Sequence, residues 1–165
     1  MQYKLLTPGP LTTTDTVKRE MMIDHCTWDD DYKSVTQKIR AGLLKLAHVS
    51  EEEYTSVLMQ GSGTFGVEAA ITTLVGEDDY LLILANGAYG ERMADIAHHA
   101  GISYHMRSWA IDEQPDAQTV KAILQENKSI THVAMVHSET TSGILNDVQS
   151  IGRVVKEAGA TFIVD

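Results

Sequence analysis

The chain has 165 residues, and its 13 Lys and Arg against 23 Asp and Glu give a formal net charge of −10. Apolar residues make up 43% and charged residues 22%, a composition typical of a globular domain that buries a core. The acidic balance argues against nucleic acid or an anionic membrane as a partner, and no apolar run reaches the roughly 20 residues that span a bilayer. Because Cys26 is the single cysteine and the His residues lack zinc-ligand spacing, we expect a cytoplasmic protein without a metal site.

Residues 1–14 are predicted to form an arm, because two prolines flank a glycine in Thr7-Pro8-Gly9-Pro10. Apolar spacing and capping residues predict helices over 15–22, 30–47, 64–75, 89–100, 116–126 and 148–158. Strands are predicted over 56–59, 80–85, 102–106, 132–137 and 161–164. This alternation predicts an α/β fold with a mostly parallel sheet and flanking helices over residues 15–165, in which ligands bind beyond the carboxyl ends of the strands.

A glycine-rich segment, Gly61-Ser62-Gly63-Thr64-Phe65-Gly66, opens one of the predicted helices. The N–H groups and positive dipole end of that helix could bind a phosphate, with the hydroxyls of Ser62 and Thr64 as further donors. The segment also matches the dinucleotide-binding fingerprint, but that fingerprint needs an acidic residue at the end of the next strand, where Asn86 stands. A plain tight turn before a helix is the third interpretation.

Other polar positions follow predicted strands. Tyr89, between two glycines, could lie on a ring-shaped ligand or pack on its neighbours. The hydroxyls of residues 137–143 could bind a cofactor or cap the following turn. Asp165 follows three apolar residues, and a carboxylate there needs a cation, which could be a protonated heterocycle nitrogen or an Arg or Lys side chain.

Taken in order, these segments resemble the class-V aminotransferase group of fold-type I pyridoxal-phosphate enzymes. The resemblance lies in residues 6–10, 24–29, 60–63, 85–90, 132–141 and 162–165. It implies the large domain of a PLP-transferase fold, pyridoxal 5′-phosphate as cofactor, and a homodimer for the complete protein. The block over 24–29 resembles members that act on a phosphonate. It implies transamination of 2-aminoethylphosphonate with pyruvate to phosphonoacetaldehyde and L-alanine.

The resemblance also implies site residues. The cofactor phosphate would be held by Ser62, Gly63 and Thr64, its pyridine ring stacked by Tyr89, its phenolic oxygen bonded by Thr140 and its ring N–H⁺ paired with Asp165. Pro8 and Gly9 would contact substrate.

In this family the Schiff-base lysine follows the strand that ends in Asp, so it is expected beyond Asp165. The small C-terminal domain and the Arg groups that bind substrate are expected there too. The 165 residues are therefore expected to be the N-terminal part of an enzyme and to be inactive alone. Two alternatives stay open, a non-catalytic product of a truncated gene and a nucleotide-binding oxidoreductase that uses residues 61–66.

Overall fold

The structure, a computed structural model, describes residues 3–6, 9 and 11–165. The chain forms two compact units, residues 1–60 and residues 61–165. The predicted bounds of the arm and of the large domain stay predictions. Within the described part of the chain, none of the helices combines the length and the apolar character that crossing a bilayer requires.

The described residues of the first unit form two helices, α1 (Asp15–Glu20) and α2 (Asp30–Leu46), close to the predicted positions. Thr14 caps α1, where its hydroxyl accepts a hydrogen bond from the Val17 N–H at 3.5 Å. Helix α2 begins with two aspartates, which place negative charge at the positive end of the helix dipole.

The strand predicted over 56–59 is wrong, since these residues form neither strand nor helix. A strand needs a neighbouring strand to bond its backbone groups, and here a side chain of α2 takes that place. Arg40 donates through Nε to the Ser56 carbonyl at 2.9 Å and through Nη2 to Thr55 Oγ1 at 2.8 Å. The apolar run predicted a strand, but its three apolar residues are exposed, with Val57 at 76%.

The second unit contains ten elements. In chain order they are α3 (Gly63–Leu74), β1 (Leu81–Ala85), α4 (Ala88–His99), β2 (Tyr104–Ser108), α5 (Ala117–Glu126), β3 (His132–Met135), β4 (Ser138–Glu139), β5 (Ile144–Leu145), α6 (Val148–Glu157) and β6 (Thr161–Val164). Every predicted element of this unit is present, with ends shifted by at most two residues. The short antiparallel pair of β4 and β5 was not predicted.

Four of these strands form a parallel sheet in the order β2-β1-β3-β6, which confirms the predicted α/β fold. Side chains along β1 alternate between two buried layers. Leu81 and Ile83 pack with residues of α3 and α4, whereas Leu82 and Leu84 pack with residues of α5 and α6. Helices thus cover both faces, which explains why β1 is apolar at every position.

Caps and glycines define the helix ends of this unit. Asp116 and Asp147 each accept a backbone N–H three residues on, which caps α5 and α6. Gly101 and Gly159 follow α4 and α6 with φ of 70° and 76°, the left-handed conformation that terminates helices. Because β1, β3 and β6 are parallel, the loops after β1 and β3 and the residue after β6, Asp165, lie at the carboxyl edge of the sheet.

Candidate functional site

The first turn of α3 carries the predicted phosphate-binding residues. Ser62 is the N-cap, and its Oγ accepts the Phe65 N–H at 3.2 Å while its own proton stays available for donation. The N–H groups of Gly63 and Thr64 have no hydrogen-bond partner among residues 61–165. A Cβ at Gly63 would meet nothing within 4 Å, so the space in front of this turn is open. Free N–H groups at a helix N-terminus favour an anion.

Arg92 of α4 contacts two of the predicted site residues and was not itself predicted. Its Nη1 lies 3.1 Å from Thr64 Oγ1, and its guanidinium carbon lies 4.8 Å from the centre of the Tyr89 ring. Because Arg92 follows Tyr89 by three residues, the two side chains share one face of α4. The three-residue spacing from Tyr89 is the sequence feature that could have identified Arg92 as a site residue. The cationic side chain adds to the positive potential at the start of α3.

Asp165 and the first turn of α3 border the same cavity of about 290 Å³. The lining residues are Gly63, Gly66, Val67, Ala70, Met93, Ile163, Val164 and Asp165. Backbone hydrogen bonds fix Asp165 to β3, with its N–H donating to the Met135 carbonyl at 3.1 Å and its carbonyl accepting the His137 N–H at 2.7 Å. A ligand in this cavity would therefore border both the start of α3, at Gly63, and Asp165.

The environment of Asp165 favours a cation. Partial burial, and secondarily the negative charge of Glu139, raise the pKa of the Asp165 carboxyl above its ordinary value. Among the described residues, no Lys, Arg or His forms an ion pair with it. A cationic ligand group would lower the free energy of the ionised carboxylate.

The hydroxyl-rich segment after β3, residues 137–143, contains in β4 a buried carboxylate that the sequence analysis missed. Glu139 has no exposed surface, and its two carboxylate oxygens accept hydrogen bonds from α4 and from Thr141. Thr140, predicted to contact the ligand, lies beside it and is exposed. The sequence feature that could have identified Glu139 is its position within a run of hydroxyl residues directly after a buried strand.

The predicted substrate contacts lie in the first unit or outside the described residues. Pro8 is outside the described residues. Gly9 has φ of 95°, a conformation that favours glycine. Their contact with substrate stays a prediction.

Asn86 occupies the position where a dinucleotide-binding protein has its acidic residue, and its amide is already bonded. Its Nδ2 donates to Asn146 Oδ1 and to the Glu113 carbonyl, each at 2.8 Å, and Asn146 Nδ2 donates back to Asn86 Oδ1 at 3.0 Å. This buried amide pair leaves no carboxylate for a ribose hydroxyl, so the geometry does not favour the nucleotide-binding alternative.

Comparison with known proteins identifies the family of the chain. The family profile described as "Aminotransferase class-V" matches residues 24–165. The chain is 60% identical over 163 residues to a 2-aminoethylphosphonate–pyruvate transaminase of Lysinibacillus sphaericus, covering 99% of this chain and 44% of that protein. It is 50% identical over 164 residues to the Salmonella paratyphi B protein of the same name, with the same coverage of each chain. The chain thus spans less than half the length of the curated relatives it matches.

A solved structure gives the same result for the fold. The pyridoxamine–pyruvate aminotransferase of Mesorhizobium loti superposes with a TM-score of 0.86 at 29% identity, over 97% of this chain and 40% of that one. Pyridoxal 5′-phosphate is the cofactor of this group of aminotransferases. The chain belongs to the class-V aminotransferase family.

Proposed function

We propose that this chain supplies the cofactor-binding part of an aminotransferase that converts 2-aminoethylphosphonate and pyruvate to phosphonoacetaldehyde and L-alanine. The observation that carries the proposal is a cavity that borders both the N-terminal turn of α3, at Gly63, and Asp165. The choice of substrates is supported by the relatives that bear this name at 50% and 60% identity.

The residues present fit pyridoxal phosphate. Its phosphate is an anion that suits the N-terminus of α3 and the hydroxyls of Ser62 and Thr64. Its protonated ring nitrogen is a cation that suits Asp165, which lacks an ion-pair partner among the described residues. Gly63 at the start of α3 and Asp165 border one cavity, so a single ligand with opposite charges at its two ends suits both.

When bound, the cofactor supplies an electron sink for the carbon that loses a proton during amino-group transfer. The chain's own residues would bind and orient the cofactor. Ser62, Gly63 and Thr64 would hold the phosphate, and Asp165 would keep the ring nitrogen protonated. Tyr89 would cover one face of the ring and exclude water from it, and Thr140 would donate a hydrogen bond to the phenolic oxygen.

Binding of pyridoxal phosphate to the 165-residue chain tests the cofactor part of the proposal. Saturable binding, measured by equilibrium dialysis and by the fluorescence of Trp28 and Trp109, is the expected result. Asp165→Asn and Ser62→Ala should each weaken it about tenfold, since each removes one charged or hydroxyl contact. Glu126→Gln, an exposed carboxylate on α5, is the matched charge control and should leave binding unchanged. NADH binding without pyridoxal phosphate binding would contradict the proposal.

A chimaera tests the reaction. These 165 residues would replace the aligned 163 residues of the Lysinibacillus sphaericus transaminase, to which they are 60% identical. The chimaera should form L-alanine from 2-aminoethylphosphonate and pyruvate, and Asp165→Asn within it should abolish most of this rate. A chimaera that binds pyridoxal phosphate but transaminates only other amino donors would overturn the substrate assignment. That the 165 residues alone are inactive stays a prediction, which the same assay checks.

A further inference from the structure

Glu139 is a completely buried carboxylate that is bonded on both oxygens. Its Oε2 accepts the N–H groups of Tyr89 and Gly90 at 3.2 and 3.4 Å. Its Oε1 accepts the Thr141 N–H at 3.3 Å and the Thr141 hydroxyl at 2.5 Å. One oxygen therefore bonds the first turn of α4, and the other bonds the loop after β4.

The chain leaves space for this carboxylate at Gly87. A Cβ at Gly87 would overlap the carboxyl group of Glu139 and lie 2.7 Å from Thr141 Oγ1. The φ of Gly87 is 174°, an extended conformation open to any residue, so space and not backbone conformation requires glycine here. The loop before α4 and the loop after β4 thus meet at van der Waals distance around one carboxylate.

A buried carboxylate is unfavourable unless its charge is compensated. Among the described residues no Lys, Arg or His pairs with Glu139, and its compensation comes from N–H groups at the positive end of α4 and from a hydroxyl. The two segments that it joins carry the predicted ring-stacking residue, Tyr89, and the predicted phenol-bonding residue, Thr140.

We propose that Glu139 is a positioning residue of the cofactor site, which holds Tyr89 and Thr140 at a set separation by bonding the backbones of both segments. The inference rests on the proposed function. The negative charge of Glu139 also contributes to the raised pKa of Asp165, so the same carboxylate favours a cation beside Asp165.

The test compares Glu139→Gln with Glu91→Gln in the 165-residue chain. Glu91 is exposed in the first turn of the same helix, so this control removes the same charge at the same helix end without touching Thr141. In Glu139→Gln, hydrogen exchange at the Tyr89, Gly90 and Thr141 amides should accelerate about tenfold or more without ligand. The dissociation constant for pyridoxal phosphate should rise about tenfold, and the circular dichroism band of the bound cofactor should weaken. Glu91→Gln should change none of these.

Thr141→Val is a second variant that keeps the charge and removes one hydroxyl donor. Exchange should accelerate at residues 141–143 while Tyr89 and Gly90 stay protected, and the cofactor dichroism should change by less than in Glu139→Gln. If Glu139→Gln does not fold, an unchanged dissociation constant and dichroism band in Thr141→Val overturn the inference.

Two failures are distinguishable. If the wild-type chain binds pyridoxal phosphate and Glu139→Gln binds it equally well with an unchanged dichroism band, Glu139 is only a helix cap and the inference is overturned. If the wild-type chain does not bind pyridoxal phosphate, the proposed cofactor site fails, and the role of Glu139 in positioning it fails with it.

Discussion

Arg92 of α4 donates a hydrogen bond to Thr64 of α3, with 3.1 Å between Nη1 and Oγ1. The same guanidinium lies over the ring of Tyr89, 4.8 Å from its centre. One cationic side chain thus joins the first turns of two helices beside the cavity. Because the Arg92–Thr64 hydrogen bond is exposed to solvent, it contributes little to stability, and its effect should appear in ligand binding.

Arg92→Met should weaken pyridoxal phosphate binding about fivefold to tenfold, because it removes a charge-assisted hydrogen bond and a positive charge beside the phosphate end. The free energy of unfolding in urea should change by less than about 0.5 kcal/mol. Arg107→Met is the matched control, since the Arg107 guanidinium lies over Trp109 at 5.3 Å and is exposed in the same way. If both variants bound pyridoxal phosphate equally weakly, the loss of net positive charge would explain the effect, and the prediction would be contradicted.

Gly90→Ala should lower the free energy of unfolding by about 1–3 kcal/mol. A Cβ at Gly90 would lie 2.8 Å from both Cα and Cβ of Ala85, so α4 would have to move away from β1. Gly66→Ala provides the contrast, because a Cβ in that helical position meets nothing within 4 Å. It should raise stability by about 0.5–1 kcal/mol through helix propensity. Urea denaturation measures both, and destabilisation of similar size in the two variants would refute the steric explanation.

Asn146→Ala should lower the free energy of unfolding by about 2–3 kcal/mol, because it leaves buried polar groups of Asn86 and Val136 without partners. The double variant with Asn86→Ala should lose less than the sum of the two single losses, since the two amides bond each other. Gln114→Ala removes an exposed amide that donates to the Leu145 carbonyl, and should cost less than about 0.5 kcal/mol. Additive losses in the double variant would disprove the coupling.

The stability of the chain should respond to pH in opposite ways at two aspartates. Burial and the charge of Glu139 raise the pKa of folded Asp165, so the stability associated with its protonated form is lost as pH rises from about 4 through the folded pKa. Asp165→Asn should therefore become more stable relative to wild type as pH rises over that range. Urea denaturation at a series of pH values measures this difference.

Asp116 provides the control with the reverse sign. Hydrogen bonds from the Thr119 backbone and hydroxyl lower the pKa of Asp116, so its stabilisation is present above about pH 4 and is lost as pH falls through the folded pKa. Asn caps helices as well as Asp does, so Asp116→Asn should match wild type in acid and fall below it as pH rises towards 4. If the stability of both variants relative to wild type changed in the same direction with pH, the assigned directions of the two pKa shifts would be contradicted.

Local sequence signals were sufficient to predict most elements of the second unit. Helix caps and helix-terminating glycines act on backbone groups within a few residues, so the neighbouring sequence is enough to predict their effect. Examples are the caps Ser62 and Asp116 and the glycines Gly101 and Gly159. The prediction of a strand over 56–59 was wrong because the structure of these residues depends on a contact that is distant in sequence. Its apolar run has no paired strand within the described part of the chain, and the bond to Arg40 spans 16 residues, which periodicity does not encode.

The sequence by itself determined the order of the helices and of the four parallel strands in the second unit, the α/β class and the polar residues at the carboxyl edge of the sheet, because helix caps, strand apolarity and glycine turns depend on near neighbours. Only the tertiary structure decided that Glu139 bonds α4, that Asn86 pairs with Asn146 and that Arg92 joins Thr64 to Tyr89. The first two pairings join residues 50 and 60 positions apart, and the Arg92–Thr64 bond spans 28. These contacts depend on the packing of the parallel strands and their crossover helices, because this packing brings loops that are distant in sequence to one edge of the sheet. The polar groups buried there then have to bond each other.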